Sequence, residues 1–211
     1  MKTKDHSEVI SGFLKLPPDR INFEIGRYYL RRGSLYLAIS AFTNLIESSP
    51  GNPLGYIHRA SAYFSAAGYL SACEDLTRAI ELDPKLTKMR YYRGWCYERL
   101  GEYGNAIDDY SKVIELQASE DKQWDNVFKN PVPSYYCSEV CGFVTQDYIK
   151  AISFHFNHAS VYSHRGLSYA QAGATNLAIA DFRKALELNP MDIDSYAWLA
   201  QMESQEEEYE S

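Results

Sequence analysis

The sequence predicts an all-α fold made of stacked helix-turn-helix repeats, and three observations predict it. A small–aromatic–small set recurs at a fixed 34-residue period: Gly26, Tyr29 and Ala38, then Ala60, Tyr63 and Ala72, then Gly94, Tyr97 and Ala106. Within each period the apolar residues keep helical spacing. Tyr91, Gly94, Tyr97 and Leu100 form one stripe, and Ala106, Tyr110, Val113 and Ile114 form a second. Between the two stripes, Gly101 breaks the run.

Taken in order, residues 1–18 stand outside the period. Val9, Ile10, Phe13 and Leu14 suit a short amphipathic helix that Pro17 and Pro18 would stop. Repeats one to three occupy residues 19–52, 53–86 and 87–120, with Pro50 and Pro84 ending the first two and Ala118 standing at that place in the third. A fourth set follows at 159–192: Tyr162, Gly166, Tyr169, Ala178, Phe182, Ala185 and Pro190. Gly94 and Gly166 are 72 residues apart where one period is 34, so residues 121–158 form an insertion. It carries Trp124, Phe128, Tyr135, Tyr136, Phe143, Tyr148, Phe154 and Phe156, too many rings for a disordered linker, and is expected to be partly helical. Residues 193–211 begin like another first helix and then turn acidic, which predicts a C-terminal capping helix with a solvated tail.

This pattern resembles the tetratricopeptide repeat, TPR. In that family a small residue lets the two helices of a repeat approach closely, as Gly26, Ala60, Gly94 and Gly166 would here, and a proline ends the second helix. The resemblance covers roughly two thirds of the chain. It implies TPR helix-turn-helix repeats stacked in a right-handed superhelix, an α-solenoid, with the first helix of each repeat lining a concave face. It says little about function, because sites are grafted onto folds.

The 211 residues carry a net charge of -7, and without Glu203, Glu206, Glu207, Glu208 and Glu210 the remainder is -2. No concentrated basic face argues for nucleic acid or an anionic membrane, and no apolar run nears the ~20 residues of a membrane span. The start of the chain lacks a secretory apolar segment, so Cys73, Cys96, Cys137 and Cys141 are expected as reduced thiols in a cytoplasmic protein.

Chemistry finds little footing. Cys137, Cys141, His155 and His158 fall in a C-x3-C-x13-H-x2-H spacing, whose histidine half is one residue short of a zinc finger. No Gly-rich phosphate loop or nucleophile elbow occurs, and Asp108 and Asp109 read as solvated surface. The chain is therefore expected not to be an enzyme and to need no cofactor or metal.

By the resemblance, the peptide-binding groove would be lined by Phe23, Arg27, Arg31, Ile57, His58, Phe64, Lys88, Tyr91, Tyr92, Trp95, Arg99 and His164. Tyr91, Tyr92 and Trp95 make the densest aromatic cluster, and the charged positions favour an acidic segment with apolar anchors. The expected function is a scaffold or adaptor for a protein or peptide partner, with self-association through the acidic tail as one form of it. The alternatives are a chaperone-associated co-factor and a metal-binding insertion. A subset of TPR proteins clamps the C-terminal carboxylate of heat-shock chaperones. The clamp positions hold Phe23, Arg27, His58, Lys88 and Tyr92 here, of which only Lys88 fits.

Overall fold

The computed structural model describes residues 18–120 and 158–210. The contacts group the chain into two compact units that part at Gly101. The first unit holds α1 (Pro18–Arg31), α2 (Leu35–Ser48), α3 (Pro53–Ser65), α4 (Tyr69–Leu82) and α5 (Thr87–Leu100). The second holds α6 (Tyr103–Glu120), α7 (His158–Gln171), α8 (Thr175–Leu188) and α9 (Ile193–Glu210). The four repeat windows each contain one helix pair, and α9 follows them. The grouping parts repeat three between α5 and α6 because α6 packs on α7, a partner distant in sequence. Expectations for residues 1–17 and 121–157, including the short N-terminal helix, the aromatic insertion, Cys137, Cys141 and His155, lie outside the described residues.

Local chemistry sets the helix boundaries. Pro18 and Pro53 open α1 and α3, where a fixed φ suits the first turn and the missing N–H costs nothing. The Asn52 side chain caps α3 by accepting from Leu54 N at 3.0 Å. Inside each repeat the chain reverses through a left-handed residue, filled by Gly33, Gly101 and Gly173 at φ of 72°, 77° and 79°. Repeat two puts Ala67 there at φ 57°, a conformation that costs an L-residue roughly 1 kcal/mol or more.

In unit one, Phe23, Ala38, Phe42, Leu45 and Ala62 form one core. Ala60, Ala72, Cys73, Leu76 and Cys96 form the next, with Tyr63, Phe64, Tyr92 and Tyr97 against it. The hydrogen bond that the Cys96 thiol donates to Cys73, and then burial, push the Cys96 thiol far above its ordinary range, so it stays protonated. In unit two, Ala178, Ile179, Phe182 and Met202 join α8 to α9. The seams need their small residues. A Cβ on Gly166 would lie 3.0 Å from Phe182 Cε1 and 3.3 Å from the Ala178 carbonyl oxygen.

A polar ladder runs through the same seams. Arg59 Nε and Nη2 donate to the Asp75 carboxylate at 2.9 and 2.7 Å, and Nη1 donates to Thr43 Oγ1 of the preceding repeat at 3.0 Å. Arg165 repeats the set, donating to Asp181 at 2.6 and 2.7 Å and to Ser111 Oγ at 3.1 Å. Arg93 donates to Thr77 Oγ1 at 3.0 Å. Each guanidinium also lies 5.6–6.0 Å from a tyrosine of its own helix, Tyr63, Tyr97 or Tyr169. Asp109, equivalent to Asp75 and Asp181, is buried, which corrects its reading as solvated surface; Asp108 is exposed. The capping helix differs from expectation too. Ile193 and Tyr196 are 77% and 53% exposed, so its outer face is not uniformly polar.

Gly166→Leu should lose about 1–3 kcal/mol of unfolding free energy by overpacking against Phe182, whereas Lys112→Leu, at a 45%-exposed side chain, should change stability by under about 0.5 kcal/mol. Equal losses in thermal melts would show that the seam is misplaced. Asp181→Ala should cost about 3 kcal/mol, because it strands the largely buried Arg165 guanidinium. Adding Arg165→Met should recover most of that loss in urea unfolding. A double variant as weak as the single one would show that the pair is not coupled.

Candidate functional site

The sequence places most groove candidates on α1, α3 and α5, three helices of unit one. Side chains bridge neighbouring members of this set. The Phe23 ring meets His58 edge-on at 5.0 Å, joining α1 to α3. The Phe64 and Trp95 rings lie 4.6 Å apart, joining α3 to α5.

Four candidates are buried and form the floor of this face, not its lining. Phe23 packs with Phe42 in the first core, and Tyr91 is fully covered and meets Tyr92 edge-on at 5.4 Å. Arg27, 4% exposed, lies one turn after Phe23 on the same stripe. Its guanidinium sits 5.3 Å from the Phe23 ring and pairs with Glu24 at 3.5 Å. His58, 5% exposed, stacks on Phe42 at 5.4 Å. For Phe23 and His58 the reason is plain: both point at Phe42 of α2, where the core is. Burial and then the Arg27 charge depress the His58 pKa from 6.5 to about 3, so the imidazole is neutral.

The accessible part of the face is smaller. Arg31, Lys88 and Arg99 are exposed, and Ile57, Phe64, Tyr92 and Trp95 are half-buried. Phe64 also meets Tyr69 edge-on at 5.4 Å, and Arg99 sits 5.5 Å from the Tyr69 ring centroid. The result is an aromatic wall from α3, α4 and α5 with a cation at its edge. His164 belongs to unit two, where it stacks on Tyr110 at 6.0 Å. Among the described residues no group of three His, Cys, Asp or Glu could hold a metal ion, and His158 is exposed at the start of α7. No helix among them is long and apolar enough to cross a membrane. The sequence reading missed Tyr69 and the Arg–Asp ladder; the repeat period carried the signal for the ladder, since Arg59, Arg93 and Arg165 are equivalent positions.

Because the His58 pKa is depressed in the fold, the neutral ring's contribution to stability is complete above pH 6.5 and is lost as pH falls toward 3. Between pH 6.5 and 5 the unfolding free energy should drop by up to about 1.4 kcal/mol per pH unit more than in His58→Phe. Parallel slopes for parent and variant in urea titrations would show that His58 is solvated.

Known proteins share the repeat fold. The tetratricopeptide repeat family model matches residues 88–119 and 159–192. DnaJ homolog subfamily C member 3 of Rattus norvegicus is 26% identical over 186 residues, 83% of this chain and 37% of that protein. Serine/threonine-protein phosphatase 5 of Mus musculus is 37% identical over 83 residues, 39% of this chain and 17% of that protein. The chain thus spans well under half the length of both relatives. The solved structure of MamA, residues 41 to the end, from Desulfovibrio magneticus RS-1 superposes with a TM-score of 0.70 at 16% identity, over 92% of this chain and 89% of that one, a likeness of fold. Period, helix pairs, seams and family match agree: this chain carries tetratricopeptide repeats, matched by the family model at residues 88–119 and 159–192.

Proposed function

We propose that the chain is a non-catalytic scaffold or adaptor that holds a protein segment on the α1–α3–α5 face of its first unit, the segment being acidic with one or two large apolar residues. The observation that carries this is the half-buried Phe64–Trp95 pair, 4.6 Å apart and bridging α3 and α5, with Lys88 and Arg99 exposed on α5 and Arg31 on α1. Rings anchored in a rigid scaffold give an apolar side chain a surface without much entropy to lose. Exposed cations at the margin favour carboxylates and speed encounter. With Arg27 buried against Phe23 and Glu24, the positive charge available to a ligand is that of Arg31, Lys88 and Arg99.

The chaperone-associated alternative has less support. Of the positions that would clamp a chaperone carboxylate, Phe23, Arg27 and His58 are buried and Tyr92 offers a ring where a cation is needed. The metal-binding alternative rests on Cys137, Cys141 and His155, outside the described residues, and on His158. The setting that suits the buried thiols Cys73 and Cys96 is the reducing cytoplasm.

Pull-down and mass spectrometry would identify a partner segment, whose affinity is then measured by titration. Trp95→Ala should weaken binding by about 2 kcal/mol and Arg99→Ala by about 1 kcal/mol or less. Only the Arg99→Ala loss should shrink in high salt, where exposed charges are screened. A partner that tolerates both substitutions binds elsewhere.

A further inference from the structure

We propose that Ser34 is a phosphorylation site for a basophilic serine kinase. The turn between α1 and α2 reads Arg31-Arg32-Gly33-Ser34-Leu35, an acceptor hydroxyl preceded by two arginines and followed by an apolar residue. A kinase cleft lined with carboxylates reads paired guanidiniums through charge-assisted, bidentate hydrogen bonds, and kinases discriminate substrates by such charge patterns. Arg31-Arg32 is the only pair of adjacent arginines in the sequence. Arg183-Lys184, the other adjacent basic pair, is followed by Ala185 and Leu186 and offers no acceptor.

The turn presents this motif. Arg31, Arg32 and Gly33 are exposed, Ser34 is half-buried, and Tyr36 is 82% exposed. A Cβ added at Gly33 would meet nothing within 4 Å, so space is open around the turn. The Ser34 backbone N–H donates to the Tyr29 carbonyl oxygen at 2.9 Å, but its side chain makes no capping hydrogen bond. Arg32 meets Tyr28 of α1, the hydroxyl at a long 3.4 Å and the ring centroid at 5.5 Å.

The fold also tolerates negative charge at this point. Repeat three carries Glu102 at the equivalent position, exposed and accepting from Asn105 Nδ2 at 2.7 Å. The first turn of α2 contains no acidic residue that would repel a phosphate. In the transfer, the bond from the γ-phosphorus of ATP to the ADP oxygen breaks and a bond to Ser34 Oγ forms. The hydroxyl proton passes to the kinase's base, and ADP leaves. The product places a charge near -2 beside Arg31 and Arg32. This inference does not depend on the proposed function.

The full chain would be incubated with ATP and the catalytic subunit of cyclic-AMP-dependent protein kinase, and the modified residue located by tandem mass spectrometry. One phosphate is expected, on Ser34, absent from Ser34→Ala. The paired substitution Arg31→Ala, Arg32→Ala should slow labelling at least ten-fold, and Arg78→Ala, at an exposed arginine outside the ligand face, should leave the rate unchanged. A peptide of residues 29–38 serves as the unfolded control. Labelling of the peptide but not of Ser34 in the folded chain would overturn the proposal, because the turn would then hide the acceptor. Labelling of Ser34 that ignores the arginines would overturn it equally.

Discussion

The arginine that ties each repeat to the one before it is the constraint on which the rest of the structure depends. Arg59 and Arg165 each bind an aspartate of their own repeat with two nitrogens and a hydroxyl of the preceding repeat with a third. A planar guanidinium has the fork to do both at once, and lysine does not. The ammonium of a lysine would leave part of a carboxylate as buried as Asp75 or Asp181 without a donor. Apolar seams alone would hold helices together with some freedom to slide. The ladder adds direction, because it closes only when the successive helices stand in one register.

That register decides what the first-helix face can present. Where a helix turns a residue toward the core, it is spent on packing, as with Phe23, Tyr91 and His58. Residues near the ends of α1, α3 and α5, such as Arg31, Phe64 and Arg99, stay accessible or partly so. The aromatic wall of Phe64, Tyr69 and Trp95 therefore draws on both helices of repeat two and the first helix of repeat three. It is a product of stacking, and no single repeat contains it.

The fold was legible because its signals are periodic. Small residues at Gly26, Ala60, Gly94 and Gly166, glycines at Gly33, Gly101 and Gly173, and the prolines after the second helices all recur in step, and each has one physical reason to recur. The site was less legible. A helical wheel separates the two faces of α1 but cannot tell a residue at the lining from one at the floor, since Arg27 and Arg31 differ by a single turn. A lone aspartate or arginine reads as surface on average composition grounds, so Asp109 was assigned to solvent. The same period carries Asp75, Asp109 and Asp181 at one position, a recurrence that marks them as structural.

Repeat one breaks the ladder in an informative way. At the positions of the arginine and the aspartate it carries Ile25 and Ala41. The two replacements belong together: an arginine without the aspartate would lose its carboxylate partner, and an aspartate without the arginine would be a buried, unpaired charge. Replacing both with apolar residues removes the cost of each, whereas replacing one would not. The half-buried Ile25 and buried Ala41 leave no charge to satisfy at this seam. Across the four repeat windows the arginine and the aspartate are thus present together or replaced together.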